Sequence, residues 1–233
     1  MMALPQLATA KYELTLPSTG EKVEYRPFLV KEEKILMIAQ STGGQKDILL
    51  AVEQIIDACT FGKLNVKTLP MFDLEYVFLQ LRSKSVGAET EVQVTCPDDR
   101  ETKVPVKINL EEIQCIKEVG HDNNIKLTDT IGIIMDYPRV TSINVMDDDD
   151  ATTAFNIIKD CVRQIYDTEN VHDKSDMDEK ELEEFLESMS HEQFEKIQDF
   201  FNTMPKVKHI VKVKNPNTNV ESDVVLEGLN SFF

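Results

Sequence analysis

Residues 61–87 read FGKLNVKTLPMFDLEYVFLQLRSKSVG, and we expect the segments on either side to pack against them. The stretch has apolar residues largely at helical spacing, namely Leu69, Phe72, Leu74, Val77, Phe78 and Leu81. Asp73 and Glu75 lie near the N-terminus of the predicted helix, where the helix dipole favours anions. Arg82 lies in the last turn, where the dipole favours cations. So many apolar residues predict a core helix, and the stretch contains no catalytic arrangement.

The net charge of the chain limits the classes of partner that it can bind. The 233 residues are enough for one large domain or two small ones, and they carry a formal net charge of −17. Phosphate binding needs Lys and Arg to displace counterions, so this charge argues against nucleic acid and against an anionic membrane as the main partner. It favours a basic or polar protein partner, although many cytoplasmic proteins are acidic for no reason beyond colloidal stability.

The cysteines and the N-terminal sequence indicate a reducing, aqueous compartment. Cys59, Cys96, Cys115 and Cys161 are scattered with no C-x-x-C pair, which is typical of reduced, mostly buried thiols in a cytosolic protein. The first residues, MMALPQLATAKYEL, lack the charged and apolar regions of a signal peptide. No apolar run approaches the length needed to cross a bilayer, so we expect no membrane partner.

Three stretches combine alternating apolar residues with a proline-containing turn, which predicts three β-ribbons. The turns are at 17–20, 97–100 and 215–218. The second and third ribbons superimpose in sequence, with Val94, Pro97, Val106 and Leu110 meeting Val213, Pro216, Val225 and Leu229. Three copies of one pattern suggest that a small β unit is reused, although any β-hairpin shows a similar pattern.

The segments between the ribbons predict further helices. Residues 31–40 and 47–59 have the apolar spacing of helices. Residues 125–138 are ambiguous between strand and helix, and 110–117 could be a helical turn or a continuing edge strand.

Between residues 146 and 204 the composition shifts. The acidic run 147–150 precedes an amphipathic segment that extends from Phe155 to Tyr166, a placement typical of a helix N-terminus. A polar loop at 169–177 follows, and two more helices are predicted at 178–189 and 190–202.

These patterns together predict an α+β fold in which β-hairpin ribbons are packed with helices. The body would be residues 1–145, with two ribbons and the central helix. An acidic helical subdomain at 146–204 would be inserted before the C-terminal ribbon, 205–233, which returns to the body.

A search for catalytic or ligand-binding motifs finds none that is complete. The sequence contains no G-x-S-x-G, no phosphate-binding G-x-x-x-x-G-K-[ST] and no H-E-x-x-H. His121 has no nucleophile at a readable spacing, and a solvated loop is the better interpretation. Cys96 and Pro97 resemble the start of a zinc knuckle, but a second cysteine pair is missing. We therefore predict no catalytic residue, no cofactor, no metal site and no enzyme activity.

Six stretches carry a resemblance to known proteins: YELTLPSTGEKVEYRPFLVKEEKILMIA at 12–39, ACTFGKLNV at 58–66, LPMFDLEYVFLQLRSKSVGAE at 69–89, CPDD at 96–99, LTDTIGIIMDYP at 127–138 and LEGLNSFF at 226–233. Together they resemble the baseplate hub proteins of T4-like bacteriophages, a group of small hub subunits and hub assembly factors. The resemblance implies a non-enzymatic protein that helps to build the hub of a contractile tail through contacts with other phage hub and tail proteins. It also implies a location in the cytoplasm of the infected bacterium during assembly, or in the baseplate of the virion.

The residues that we predict to contact those partners are Arg26, Pro27, Phe28, Arg82, Lys84, Phe232 and Phe233. Each has a structural alternative. Arg26 could pair with an internal carboxylate, and Phe28 could be a core residue. Arg82 and Lys84 could only end the central helix, and the two terminal phenylalanines could fold back onto the core.

Two further functions remain open at this point. The chain could be an acidic cytoplasmic adaptor that binds a basic protein segment through residues 146–204. An enzyme such as a metal hydrolase that uses 147–150 ranks lowest, because carboxylates in an uninterrupted run point in divergent directions at the start of a helix.

Overall fold

A computed structural model describes residues 7–42, 44–143 and 151–232. The chain divides into two compact units. The first holds the chain up to Ile116 together with the chain from Lys206 onward, and the second is Lys117–Pro205. Both units combine helices with antiparallel strands, so the α+β prediction is confirmed. Within the described residues, no helix has both the length and the apolar character needed to cross a lipid bilayer.

The helices, in chain order, are α1 (Val30–Thr42), α2 (Gln45–Cys59), α3 (Met71–Val86), α4 (Val140–Ile143), α5 (Ala151–Cys161), α6 (Glu179–Glu187) and α7 (His191–Thr203). The strands are β1 (Tyr12–Thr15), β2 (Lys22–Tyr25), β3 (Glu89–Thr95), β4 (Lys103–Asn109), β5 (Gln114–Ile116), β6 (Asn124–Lys126), β7 (Gly132–Met135), β8 (Val162–Tyr166), β9 (Val171–Asp173), β10 (Lys206–Lys214) and β11 (Glu221–Glu227). Short 3₁₀ turns lie at Val66–Thr68, Leu110–Glu112, Lys174–Asp176 and Leu229–Phe232.

Helix α3 is a core element of the first unit, as the sequence predicts. Its apolar face is buried, and Leu74, Val77 and Phe78 have no exposed surface. The helix starts at the Pro70 carbonyl, which accepts the N–H groups of both Asp73 and Leu74. It ends at Gly87, whose φ of 109° is accessible mainly to glycine. The strands of this unit pair as β1–β2, as β3–β4, and as a three-stranded sheet in the order β11–β10–β5.

The three predicted ribbons are present, and their turns share one backbone geometry. In each turn the residue before the proline accepts a hydrogen bond from the N–H four residues further on, in the pairs Leu16–Gly20, Cys96–Arg100 and Asn215–Asn219. The donor residue has a positive φ each time, between 58° and 72°. Leu16, Cys96 and Asn215 are also all buried. The repeated sequence pattern therefore corresponds to a repeated structure.

The predicted superposition of the second and third ribbons is wrong by one residue in the returning strand. Cys96 donates its N–H to the carbonyl of Thr102, whereas Asn215 donates to Val220, so the third turn is one residue shorter. Val106 therefore corresponds to Val224, which is half-buried, and Val225 faces outward. A one-residue change in turn length moves each side chain of the returning strand to the opposite face.

The second unit contains a four-stranded antiparallel sheet in the order β6–β7–β8–β9, with α4 to α7. The ambiguous stretch 125–138 forms strands. The segment predicted to be helical up to Tyr166 leaves the helix at Cys161 and continues as β8, because Val162–Tyr166 pairs with β7. The predicted polar loop contains β9, which pairs with β8.

The two helices predicted near the end of this unit are confirmed. Asp178 caps α6 by accepting the N–H of Lys180, and Ser190 caps α7 in a reciprocal arrangement with Gln193. The acidic run 147–150 lies outside the described residues. The domain boundaries at 145 and 204 stay a prediction. The two compact units meet along the chain at Ile116 and at Pro205.

All four cysteines are free thiols, and Cys59, Cys96 and Cys161 are buried. Burial raises the pKa of Cys59 to about 11 and the pKa of Cys115 and Cys161 to about 12. The thiols therefore stay protonated at neutral pH.

Candidate interaction surfaces

Arg26 lies at a junction of β2, α1 and α2, where its side chain is buried. Its Nη2 forms an ion pair with Oε1 of Glu32 at 2.9 Å. The same guanidinium donates to the carbonyls of Pro27 and Ala58, at 2.9 and 3.3 Å. Ala58 is in the last turn of α2, where a cation is favoured. The internal pairing considered for Arg26 is therefore what the structure shows.

Glu32 is the acidic partner in this junction, and it is almost fully buried. Burial on its own would raise the pKa of this carboxyl, but hydrogen bonds from Arg26 and from the N–H of Leu29 lower it below the ordinary value. Leu29 immediately precedes α1, so Glu32 also satisfies a donor at the start of that helix. The pair thus connects the end of the first ribbon with two helices.

Pro27 and Phe28 continue from this junction toward α3. Phe28 is buried and donates its backbone N–H to Oγ of Ser85 at 2.9 Å. Pro27 is half-buried. Phe28 is thus a core residue, which was the alternative to a partner contact. A contact between Pro27 or Phe28 and a partner stays a prediction.

The C-terminal segment packs back onto α3. Phe232 has no exposed surface, and its backbone carbonyl accepts a hydrogen bond from Nη1 of Arg82 at 2.5 Å. The carboxylate of Glu75 accepts the N–H of Leu229, and burial raises its pKa to about 7. Phe233 lies outside the described residues. Two side chains of the central helix therefore hold the last 3₁₀ turn.

Lys84 reaches across the same unit. Its Nζ lies 2.5 Å from Oε1 of Glu111, and it also lies 5.5 Å from the centre of the Tyr12 ring. About a third of the Lys84 side chain is exposed, and a contact between Lys84 and a partner stays a prediction.

The turns of the ribbons are held by buried polar groups. Ser18, in the first turn, donates both its backbone N–H and its Oγ–H to the carboxylate of Asp73 in α3. Burial raises the pKa of Asp73, and these two hydrogen bonds oppose that effect. In the third turn, Nδ2 of Asn215 donates to carboxylate oxygens of Asp98 and Asp99 in the second turn. The three ribbons are thus fixed at their tips.

Exposed apolar side chains mark two surfaces of the first unit. Val30, Met37 and Ile38 are exposed along α1. Ile210 and Val225 form a cross-strand pair on the outer face of the third ribbon, with 62% and 52% of their surfaces exposed. Sequence reasoning missed both surfaces. The alternation in β10, KVKHIVKVK, was the available signal, because it places Ile210 on the same face as the lysines.

The second unit has a polar depression of about 290 Å³ lined by Asp136, Arg139, Asp160, Arg163 and Lys174 among others. These charged groups are paired with one another, for example Arg139 with Asp136 at 3.1 Å. Lys174 also donates from Nζ to the carbonyls of Lys159 and Asp160 at the end of α5. Among the described residues, no three His, Cys, Asp or Glu side chains are grouped so that they could hold a metal ion.

His121 differs from its prediction as a solvated loop residue, and that prediction is wrong. Its ring is buried, with Nδ1 2.9 Å from Oγ1 of Thr203 and Nε2 3.1 Å from the hydroxyl of Tyr137. Burial lowers the pKa of His121. The ring also packs against Tyr137 and Phe200, so it is part of the interior of the second unit.

Comparison with known proteins gives one family. The family described as T4 bacteriophage base plate protein matches residues 9–233. The chain belongs to this family. No curated protein matches the chain, and no solved structure matches it.

The baseplate family match covers both compact units of the protein and all three ribbons. It therefore applies to the whole fold and not to one segment. The resemblance to T4-like baseplate proteins that the sequence showed is confirmed, and the family associates the chain with the tail baseplate.

The acidity of this baseplate protein is concentrated in the second unit. Residues 117–205 hold 22 Asp and Glu against 8 Lys and Arg, a net charge of −14 out of −17 for the chain. The first unit, which carries the ribbons, is therefore close to neutral. Electrostatic attraction of a basic partner would act mainly on the second unit.

Proposed function

We propose that the protein is a non-enzymatic structural or assembly protein of the baseplate hub, and that it acts through contacts with other hub and tail proteins. The observation that carries the proposal is the family match over residues 9–233, which includes every described helix and strand.

The interior of the first unit supports a role as a rigid body. The Arg26–Glu32 pair, the Ser18–Asp73 hydrogen bonds and the Asn215–Asp98 hydrogen bond each connect separate elements of the fold. A surface that is already ordered binds with a smaller loss of conformational entropy. Such a body suits an assembly in which many subunits must meet in one geometry.

Some of the residues predicted to contact partners are accessible in the isolated chain. We propose direct contact for Pro27 and Lys84, which are partly exposed. The elements that carry Pro27 and Lys84 are held by the more buried residues Arg26, Phe28, Arg82 and Phe232. A direct contact of these four residues or of Phe233 with a partner remains a prediction. The exposed apolar residues of α1 add a further candidate surface.

Co-expression of the tagged chain with the neighbouring tail genes tests the proposal. We expect affinity purification to recover baseplate hub or tail proteins at a fixed ratio. Recovery of the chain by itself from every combination of tail genes would contradict it. Mass spectrometry of purified virions then separates the two hub roles, because a hub subunit has a small fixed copy number and an assembly factor has a copy number near zero.

A second candidate is an acidic adaptor that binds a basic protein segment, and the charge of −14 on residues 117–205 favours it. Deleting 146–204 would remove β8 from its sheet, so substitutions on the surface of α6 are the better test. The variant E181Q/E184Q/E187Q removes three exposed charges from that helix. A matched control, E21Q/E91Q/E101Q, removes three exposed charges from the first unit. Selective loss of binding in the first variant would support the adaptor.

A further inference from the structure

The second and third ribbons share one pattern of strands and turn, so their residues can be compared position by position. The returning strands β4 and β11 have the same alternation of exposed and buried residues, and Ile108 and Leu226 are the buried residues at equivalent positions. The outward pairs at equivalent positions differ in chemistry. The second ribbon carries the cross-strand pair Glu91–Lys107, whereas the third carries Ile210–Val225. The third ribbon therefore exposes an apolar pair where the same unit elsewhere carries charges.

Charged residues surround this apolar pair in two rows of opposite sign. The outer face of β10 carries Lys206, Lys208, Lys212 and Lys214, on both sides of Ile210. The outer face of β11 carries Glu221, Asp223 and Glu227, on both sides of Val225. The strand register places Lys208 beside Glu227 and Lys212 beside Asp223. The face is therefore a basic row next to an acidic row, with an apolar centre.

We propose that a second copy of this chain docks on the outer face of the third ribbon, with a two-fold axis parallel to the strands. This operation places the basic row of one copy over the acidic row of the other. Ile210 of each copy then faces Val225 of the other copy, and Lys212 of each faces Asp223. A two-fold axis perpendicular to the strands would place lysines over lysines, so the charges select one arrangement.

The charge distribution of the chain favours a second copy at this face. A net charge of −17 repels other copies, but the net charge of −14 on residues 117–205 lies outside the ribbon unit. The ribbon face itself is nearly balanced, with Lys206 already 3.1 Å from Glu227 within one copy. In the dimer, each Lys–Glu pair of one copy would face a Lys–Glu pair of the other copy, with the positions of the lysine and the carboxylate exchanged. The inference does not depend on the proposed hub role, because the purified chain tests it.

The size of the face predicts a weak contact. Seven residue pairs at about 3.4 Å per residue, in two strands about 4.8 Å apart, give a face of roughly 250 Å². Stable complexes bury about 800 Å² per partner. We therefore expect a dissociation constant on the order of 0.1–1 mM for the free chain. Tethering in an assembly would make such a contact effective through the raised local concentration.

Sedimentation equilibrium of the full chain tests the proposal, at concentrations from about 20 µM to about 1 mM and near-physiological salt. We expect a monomer–dimer equilibrium. The variant I210T/V225T keeps β-branched side chains, which suits the strands, but makes the centre of the face polar. It should lower the association constant at least tenfold. The matched control V119T/V171T makes the same kind of change in exposed residues of the second unit and should leave association unchanged.

Mixing two single variants tests the two-fold geometry. K212E places a carboxylate opposite Asp223 of the other copy, and D223K places an ammonium group opposite Lys212 of the other copy. Each variant alone should therefore dimerise at least tenfold more weakly. In a mixed dimer both facing pairs are of opposite charge, so an equimolar mixture should recover association. Mixing leaves the pairs within each copy unchanged, and a loss of folding therefore cannot mimic the recovery.

Three results would overturn the proposal. One is a wild-type chain that stays monomeric up to about 1 mM. Another is dimerisation that I210T/V225T leaves unchanged, or that mixing the two single variants does not restore. The third is a monomeric chain that captures another baseplate protein through Ile210 and Val225, which would assign the face to that protein.

Discussion

Asn215, in the turn of the third ribbon, donates a hydrogen bond from Nδ2 to Oδ1 of Asp98, in the turn of the second, at 3.0 Å. The two residues are 117 positions apart in the sequence, and Asn215 is completely buried. The bond therefore fixes the C-terminal ribbon to the body of the first unit.

Replacing Asn215 tests this connection. N215A should lower the free energy of unfolding by about 1–3 kcal/mol, because the Asp98 and Asp99 carboxylates lose the Nδ2 donor and the N–H groups of Asn217 and Thr218 lose the Oδ1 acceptor. N215D keeps the shape but places a third carboxylate beside Asp98 and Asp99, so it should be the more destabilising variant at pH 7 and should recover in acid. Urea denaturation at pH 7 and pH 4.5 measures both. Equal effects of the two variants at pH 7 would show that charge is not important there.

Breaking the Arg26–Glu32 pair should be among the most destabilising single changes. R26M removes the buried ion-pair partner of Glu32 and leaves the contact with the exposed Lys31, 3.3 Å from Oε1, so it should cost about 3 kcal/mol. R26M/E32L should lose clearly less than the two single variants together. A double-mutant cycle by urea denaturation measures the coupling. The matched control is the exposed pair Glu13–Lys22, where K22M/E13Q should leave the urea midpoint unchanged.

The same pair predicts a pH dependence. The pKa of Glu32 is lower in the folded chain than in the unfolded chain, so the unfolded state binds more protons in acid. The stabilisation by the ionised pair is therefore present above the ordinary glutamate pKa and is lost as the pH falls through the folded value. E32Q should remove this part of the acid sensitivity, which urea denaturation across the acidic range measures.

Glu75 should act in the opposite direction. Burial raises its pKa to about 7 from an ordinary value of 4.5, with Glu227 adding to the effect and Lys206 and the Leu229 N–H opposing it. The folded state then binds more protons between these values, so stability falls as the pH rises from 4.5 to 7. E75Q keeps the acceptor for Leu229 and should gain on the order of 1–2 kcal/mol at pH 8 relative to wild type. The expected sign would be contradicted if the wild-type chain became more stable as the pH rose over this range and if E75Q abolished that gain.

The C-terminal segment should contribute to the core of the first unit. Phe232 is completely buried, so F232A should lower the free energy of unfolding by about 3–4 kcal/mol. F232L keeps most of the apolar volume and should lose less. Thermal unfolding followed by circular dichroism measures both. A change below about 0.5 kcal/mol for F232A would mean that the segment is detached in solution.

Local patterns predicted much of this fold. The spacing of Leu74, Val77 and Phe78 identified the core helix, and the prolines at 17, 97 and 216 identified the three turns. These features depend on residues within a few positions of one another. The start of the last helix at Ser190 was recognised for the same reason.

Features that depend on distant residues could not be predicted. The turn after Asn215 is one residue shorter than its counterpart, and only the strand register shows that Val225 faces outward. The segment after Cys161 continues the apolar spacing of a helix, but pairing with β7 makes it a strand. Pattern alone also did not show which carboxylate pairs with Arg26, because Glu32 is near in sequence but the pairing depends on the path of the backbone between β2 and α1.

Whether the protein works by binding other baseplate proteins is tested most directly by cross-linking mass spectrometry of infected cells and of purified virions. We expect cross-links from lysines of the first unit, such as Lys84, to baseplate hub or tail proteins in the cells, and in virions as well if the chain is a permanent subunit. Absence of cross-links to any tail protein in both samples, with the chain present in the cells, would contradict the account.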